Sequence, residues 1–282
     1  VHHINNGGIL HLLILGSDGA VAGGIQRTGG ELLALVHIGR GYQTAAVHCF
    51  WAKYWSRDKA YPNLGFDDFI SLEDMHGVTK VRKHYWTSGL VTDDSMADQI
   101  IQQYESMKAS SDKPVFLHAV TMQNHTNYNK DNYPDDERVK VVSHPTGLKP
   151  STVGALEDFA TGIRDADAML GRLTEYFSQV DEPVILVFWG DHYNPIDSNY
   201  DVYTATGYAS DSSADPRLHQ TTLLMWSNYS DQQCRCAEGR KAHAIQRISF
   251  AKHQVVLQQP VLRAPPLLEL CGLLRGSTVQ IH

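Results

Sequence analysis

No stretch of this chain approaches the roughly 18 consecutive apolar residues that cross a bilayer as a helix. The apolar run at 9–15 is too short, and no basic leader with a cleavage site precedes it, so neither a spanning helix nor a signal peptide is expected within these residues. Cysteine is scarce: Cys49, Cys234, Cys236 and Cys271 are the only four among 282 residues, too few for a disulfide framework in a chain this long. Cys234 and Cys236 are one residue apart, which misses the Cys-x-x-Cys spacing of zinc and redox sites. Basic charge is not in excess either. With 24 Lys and Arg against 31 Asp and Glu the net charge is -7, which argues against nucleic-acid binding as the main function. Internal repeats and low-complexity tracts are absent.

Hydrophobic residues make up 42% of the chain and charged residues 20%, the balance of an ordinary globular protein. The length allows one large α/β domain or two smaller ones. Charge divides unevenly: residues 232–282 hold seven Lys/Arg and two Asp/Glu, a balance of +5 that leaves -12 for residues 1–231. Residues 1–35 and 231–282 differ in character from the middle, as a reading-frame change in the gene would make them. The expected organisation is a single domain over 1–282 with its well-patterned core at about 36–230.

Within that core, apolar runs alternate with helical patterns. A helix over 31–38 stops at Gly39 and Gly41 and is followed by a short buried strand over 41–48. An aromatic-rich loop, 50–66, comes next. Thr92 or Asp93 caps a helix that runs to about residue 107, with Met96, Ile100, Ile101 and Tyr104 inward. Residues 115–120 form a continuous apolar strand of the kind buried between two helical layers. The polar segment 127–150, with three prolines, is expected to be a surface loop. A long helix over about 152–178 repeats apolar residues near the 3.6 period: Val153, Leu156, Phe159, Ile163, Met169, Leu170, Leu173 and Phe177. Further strands follow at 183–189 and 221–226. Strand and helix in alternation predict an α/β fold, a mainly parallel sheet sandwiched by helices.

The first of those two strands, 183–189, ends in Gly190-Asp191-His192. A strand finishing this way delivers a carboxylate and an imidazole together at the rim where parallel α/β folds build their sites. Both groups suit a divalent ion such as manganese, zinc or magnesium. The competing reading makes Asp191 a turn cap and His192 a surface residue.

Four segments together resemble the lipoteichoic acid synthase group, phosphoglycerol transferases of the sulfatase and alkaline phosphatase superfamily. They are Gly41-Tyr42-Gln43-Thr44 through His48 with Tyr54-Trp55-Ser56-Arg57-Asp58 and Leu64-Gly65-Phe66-Asp67; Asp112-Lys113-Pro114-Val115-Phe116 leading to Gln123-Asn124-His125; Asp165-Ala166-Asp167 before the Gly-Asp-His strand; and the stretch from His219 to Asn228. The resemblance implies an alkaline phosphatase/sulfatase-like fold. It also implies an enzyme that moves a phosphoglycerol group from a phospholipid donor to a glycerophosphate polymer or glycan acceptor. Such an enzyme works at the extracytoplasmic face of the membrane, through a phospho-threonine intermediate and with a divalent metal, commonly manganese. Asp191 and His192 match the family's metal ligands. His125 matches a histidine that contacts phosphate or the leaving group. Trp55 and Arg57 match the Trp-x-Arg-Asp pattern that holds phosphoglycerol, arginine because its planar fork pairs with two phosphate oxygens. His48 aligns with a further family histidine, and Phe50 stands where the family often has a polar residue. His219 is a candidate on the metal side, and Asp165 and Asp167 are expected to be helix-surface or capping charges. The reactive threonine is not identifiable: Thr28 is the only upstream threonine, and Asp18 and Glu31 are the upstream acids. The alternatives are a phosphoethanolamine transferase or a phosphodiesterase or sulfatase-type hydrolase of the same superfamily, or a non-catalytic pseudoenzyme. Arg57 could also pair with Asp58 or Asp67, and Trp55 could simply pack on the sheet edge.

Overall fold

Apolar strands that cannot face water on either side must be covered by helices on both. A computed structural model describes residues 10–16, 41–81, 89–191, 194–197, 199–209, 215–219 and 223–229, with short strand pieces at 249–250, 253–254 and 280–281. The main elements run β1 (Leu10–Gly16), β2 (Gln43–His48), α1 (Arg57–Asn63), β3 (Asp68–Ser71), β4 (Lys80–Val81), β5 (Leu90–Val91), α2 (Asp93–Ser110), β6 (Val115–Val120), β7 (Val141–Ser143), α3 (Pro150–Ser178), β8 (Val184–Gly190), α4 (Asp201–Ala205) and β9 (Leu223–Ser227). The expected helix over 31–38 lies outside the described residues.

One six-stranded sheet, ordered β3-β2-β6-β1-β8-β9, carries the fold. β2 is parallel to both β3 and β6, and β6 and β8 are each antiparallel to β1. Four strands therefore point one way; β1 and β9 oppose them. The expectation of a mainly parallel α/β sheet holds. The apolar run near the start of the chain was not expected to be a strand, yet it fills the central position between β6 and β8.

α2 and α3 pack together on one face of the sheet, where Met96, Ile100, Leu117, Phe159, Leu186 and Phe188 share a core. α2 starts where expected: the Thr92 side chain accepts a hydrogen bond from the Ser95 amide. Of the eight apolar positions expected on α3, all but Val153 are buried, each contributing about 1.5–3 kcal/mol. The aromatic segment after β2 is not all loop, since it contains α1. Its Tyr61 covers the opposite face of the sheet, stacking against Phe66 and His118.

Asn228, the last residue of the fourth resembling segment, has a structural role. Its Oδ1 accepts from the Val184 amide at 2.8 Å, and its Nδ2 donates to the carbonyls of Phe177, Val180 and Glu182. One amide side chain thus ties the end of α3 to the beginning of β8. A similar lock joins two segments of the resemblance: Asp67 Oδ2 accepts from Thr44 N and Oγ1 at 2.8 and 2.9 Å, while the Asp67 amide donates back to Thr44 Oγ1. Asp67 is thus engaged with Thr44 at the start of β2.

Candidate active site

Because β2, β6 and β8 point the same way, their carboxyl ends share one edge of the sheet. His48 is level with Val120, Val120 with His11, and His11 with Trp189. His48, the 121–125 segment and Asp191 are therefore brought to the same rim by three different strands. Three strand spacings separate β2 from β8, about 14 Å at about 4.8 Å each.

At the β2 end the sequence-derived residues converge. Arg57 Nη1 lies 2.7 Å from His48 Nε2. A guanidinium only donates, so Nε2 must accept, and the proton belongs on Nδ1, which faces the Val120 carbonyl at 3.3 Å. The Arg57 carbon Cζ sits 4.6 Å from the centroid of the Trp55 ring, within cation–π range. Tyr61, which sequence reasoning missed, lies near the same guanidinium; burial raises its phenol pKa and Arg57 works against that rise. His48 is fully buried and Arg57 half-buried, so the cation is fixed from below and open at the rim. Trp55 and Ser56 both adopt left-handed backbone, with φ of 55° and 54°. Non-glycine residues pay about 1–3 kcal/mol for such conformations, which concentrate at functional sites. Phe50 is buried with its ring 5.6 Å from that of Trp55; it forms a hydrophobic base for the cluster in place of a polar contact.

His125 closes a turn after β6, its amide bonded to the Met122 carbonyl and its Nδ1 2.6 Å from the Thr126 carbonyl oxygen. Residues Thr121, Gln123, Asn124 and His125 are all buried. The segment that follows is not a free surface loop: Tyr128, Asn132, Tyr133 and Val139 are buried, and α3 holds them. The expectation for Asp165 also fails. Its Oδ2 accepts from Gln123 Nε2 at 2.6 Å, while Gln123 Oε1 accepts from the Asp93 amide. Asp167 is half-buried rather than a surface charge; its Oδ1 has no partner among the described residues, and burial raises its pKa. Both errors share a cause: the polar residues of α3 were assigned to solvent because the segment facing them reads as loop.

Asp191 follows β8 directly, at the rim. Its partner in the motif, His192, lies outside the described residues, as do Thr28, Asp18 and Glu31. His219 ends a short turn before β9, and Leu223 at the start of β9 is level with Trp189, which brings this turn to the same edge. Among the described residues no group of three His, Cys, Asp or Glu side chains converges as an ion site would require. Asp191 is one oxygen donor of the four or more that a divalent ion takes, so the described residues alone do not fit the metal. Cys49 is a free, buried thiol with its pKa raised, by burial first and by Asp93 second, and is no nucleophile. No helix of the described residues is long and apolar enough to cross a membrane.

Comparison with known proteins matches the family model described as Sulfatase to residues 19–254. A Rhizobium meliloti (strain 1021) protein named for the modification of cyclic beta-1,2-glucan is 30% identical over 204 residues, 70% of this chain and 29% of that protein. Lipoteichoic acid synthase 1 of Bacillus subtilis (strain 168) is 26% identical over 177 residues, 60% of this chain and 24% of the relative. The chain thus spans under a third of the length of these curated relatives. Among solved structures, the Streptococcus pyogenes phosphoglycerol transferase GacH, in complex with sn-glycerol-1-phosphate, matches with a TM-score of 0.49 and 22% identity, covering 67% of this chain and 44% of that one. The Listeria monocytogenes lipoteichoic acid synthase LtaP matches with a TM-score of 0.42 and 20% identity, over 57% of this chain and 36% of that one.

Proposed function

Because this chain belongs to the sulfatase family, we propose that it forms part of a transferase that moves a phosphoglycerol group from a lipid donor to a cell-envelope polymer or glycan. The observation that carries the reading is the Arg57 guanidinium, set at the carboxyl edge of the sheet between His48 Nε2 and the Trp55 ring. A fixed planar cation beside a flat indole suits one phosphodiester with a small polyol attached. The fork pairs with two phosphoryl oxygens, and the Trp55 N–H, without a partner among the described residues, offers a donor to a glycerol hydroxyl. The names of the relatives, a glucan modification protein and a lipoteichoic acid synthase, agree with an anionic headgroup passed to an envelope acceptor.

In this reading Arg57 offsets charge on the transferring phosphoryl group, Trp55 and His48 shape the seat, and His125 donates a proton or hydrogen bond toward the departing lipid alcohol. A threonine hydroxyl takes the group covalently and passes it to the acceptor hydroxyl. Asp191 and His192 are proposed as donors to a divalent ion, manganese or else zinc or magnesium. Since the described residues do not complete that site, the roles above are assigned without it. The site works on the extracytoplasmic side, where lipid donor and acceptor meet.

Isothermal titration with sn-glycerol-1-phosphate, and turnover of a glycerophosphoryl lipid against a phosphoethanolamine lipid, test the assignment. Arg57→Ala should weaken glycerol phosphate binding by about 10- to 100-fold, the equivalent of about 1.5–3 kcal/mol for a charge-assisted contact. Equal binding by wild type and variant, or a preference for the phosphoethanolamine lipid, would overturn it.

A further inference from the structure

α3 has two working faces. Beside its apolar stripe runs a second one made of Gly154, Asp158, Thr161, Gly162 and Asp165, spaced by three and four residues and so lined up along the helix. Every member of this stripe meets the segment that carries His125. Asp158 is buried, and its Oδ2 accepts from the Asn129 amide at 2.7 Å and from Asn132 Nδ2, which also donates to the Asn127 carbonyl. Thr161 Oγ1 accepts from the Val139 amide. Asp165 takes Gln123 Nε2.

The glycines act by absence of a side chain. A methyl at Gly162 would lie 2.7 Å from Asn124 Cγ and closer still to its Oδ1, and a methyl at Gly154 would lie 2.8 Å from Lys130 Cβ. Both distances are below any real carbon contact, so the Asn124 side chain lies over α3, and residue 130 packs on it, only because these positions are bare. Gln123 before His125, and Asn129 and Asn132 after it, are hydrogen-bonded to one helix, Asn124 packs on it at Gly162, and Asn127 is tied in through Asn132. Tyr128 closes the loop on itself by donating from its hydroxyl to the Asn124 carbonyl.

We propose that Gly162 and Asp165 are positioning residues that set the His125 imidazole at the rim, through Asn124 and Gln123 respectively. Neither touches the reacting group. The inference rests on the phosphoglycerol-transfer reading only for its activity readout; the placement of His125 can be measured without turnover.

The perturbation is Gly162→Ala. Alanine is the better helix former, so α3 should persist while Asn124 is pushed aside. Histidine side-chain resonances of the whole chain, with His125 assigned by His125→Gln, report the imidazole directly. The expected result is a displaced His125 resonance and, in lipid-donor turnover, a kcat lowered at least 10-fold with KM within about 2-fold, because an interaction made in the transition state is lost. Removing the obstruction in the double variant Gly162→Ala/Asn124→Ala should return the His125 resonance to where Asn124→Ala alone leaves it. Asp165→Asn, which keeps the shape but weakens the pull on Gln123, should move the same resonance in a folded protein even where Gly162→Ala fails to fold. An unmoved His125 signal in both folded variants, or strictly additive effects of the two substitutions at 124 and 162, would overturn the proposal. Loss of donor turnover by wild type with these shifts intact would instead count against the transfer reading alone.

Discussion

His118 supplies a pH-dependent test of how the sheet is covered beneath Arg57. Its ring lies in β6 between Tyr61, Phe66 and Trp189, at centroid distances of 6.1, 6.3 and 6.2 Å. Burial first, and the Arg57 charge second, lower its pKa from 6.5 to about 4. The unfolded chain takes up a proton near pH 6.5, whereas the folded protein refuses it until about pH 4. Stability from this group is therefore full above about pH 6.5, falls as the pH drops through that window, and bottoms out below about pH 4. At about 1.4 kcal/mol per pH unit the whole displacement corresponds to about 3 kcal/mol. The residue retains partial exposure, which lets water screen the charge, so about 2 kcal/mol is the expected loss. Urea unfolding followed by tryptophan fluorescence at pH 7.5, 5.5 and 4 should be run on wild type and His118→Phe. Carboxylate titrations common to both cancel in the difference. The variant should gain about 2 kcal/mol on wild type between pH 7.5 and pH 4. A difference that stays constant with pH would show that the ring is not held neutral among those aromatics.

Asn228→Ala should lower unfolding free energy by about 2–4 kcal/mol without altering glycerol phosphate affinity, since four hydrogen bonds at the α3–β8 junction are lost far from the ligand seat; chemical denaturation and titration measure the two separately, and a loss under about 1 kcal/mol would be inconsistent with the clamp. Ser56→Gly should leave stability unchanged or raise it by up to about 1 kcal/mol because glycine adopts φ near 54° without a Cβ penalty. Ser56→Val should cost about 1–2 kcal/mol and weaken ligand binding by displacing Trp55 and Arg57; equal thermal melts for the two variants would mean that the left-handed turn is not formed.

Much of the scaffold was legible because its signals are local. A capping threonine marks the start of α2, and the 3.6-residue spacing from Leu156 to Phe177 identifies the buried stripe of α3. The Trp-x-Arg spacing was legible too, and Arg57, Trp55 and His48 do come together. What escaped were pairings with partners far along the chain. Tyr61 reads as one more aromatic in an aromatic-rich stretch until the fold lays it beside Arg57. Asp165 reads as a solvated charge because its partner, Gln123, lies 42 residues earlier in the chain, and nothing local shows that the two meet.

The order of apolar and polar residues, by itself, determined which segments become strands and helices, since the hydrophobic effect acts on each residue's own surface. Which strand fills the middle of the sheet, which face of α3 meets the His125 loop, and which three strand ends share one rim were decided only by the tertiary structure. Those outcomes depend on hydrogen-bond registers and on close approaches such as Asn124 over Gly162, and both arise only between segments distant in sequence.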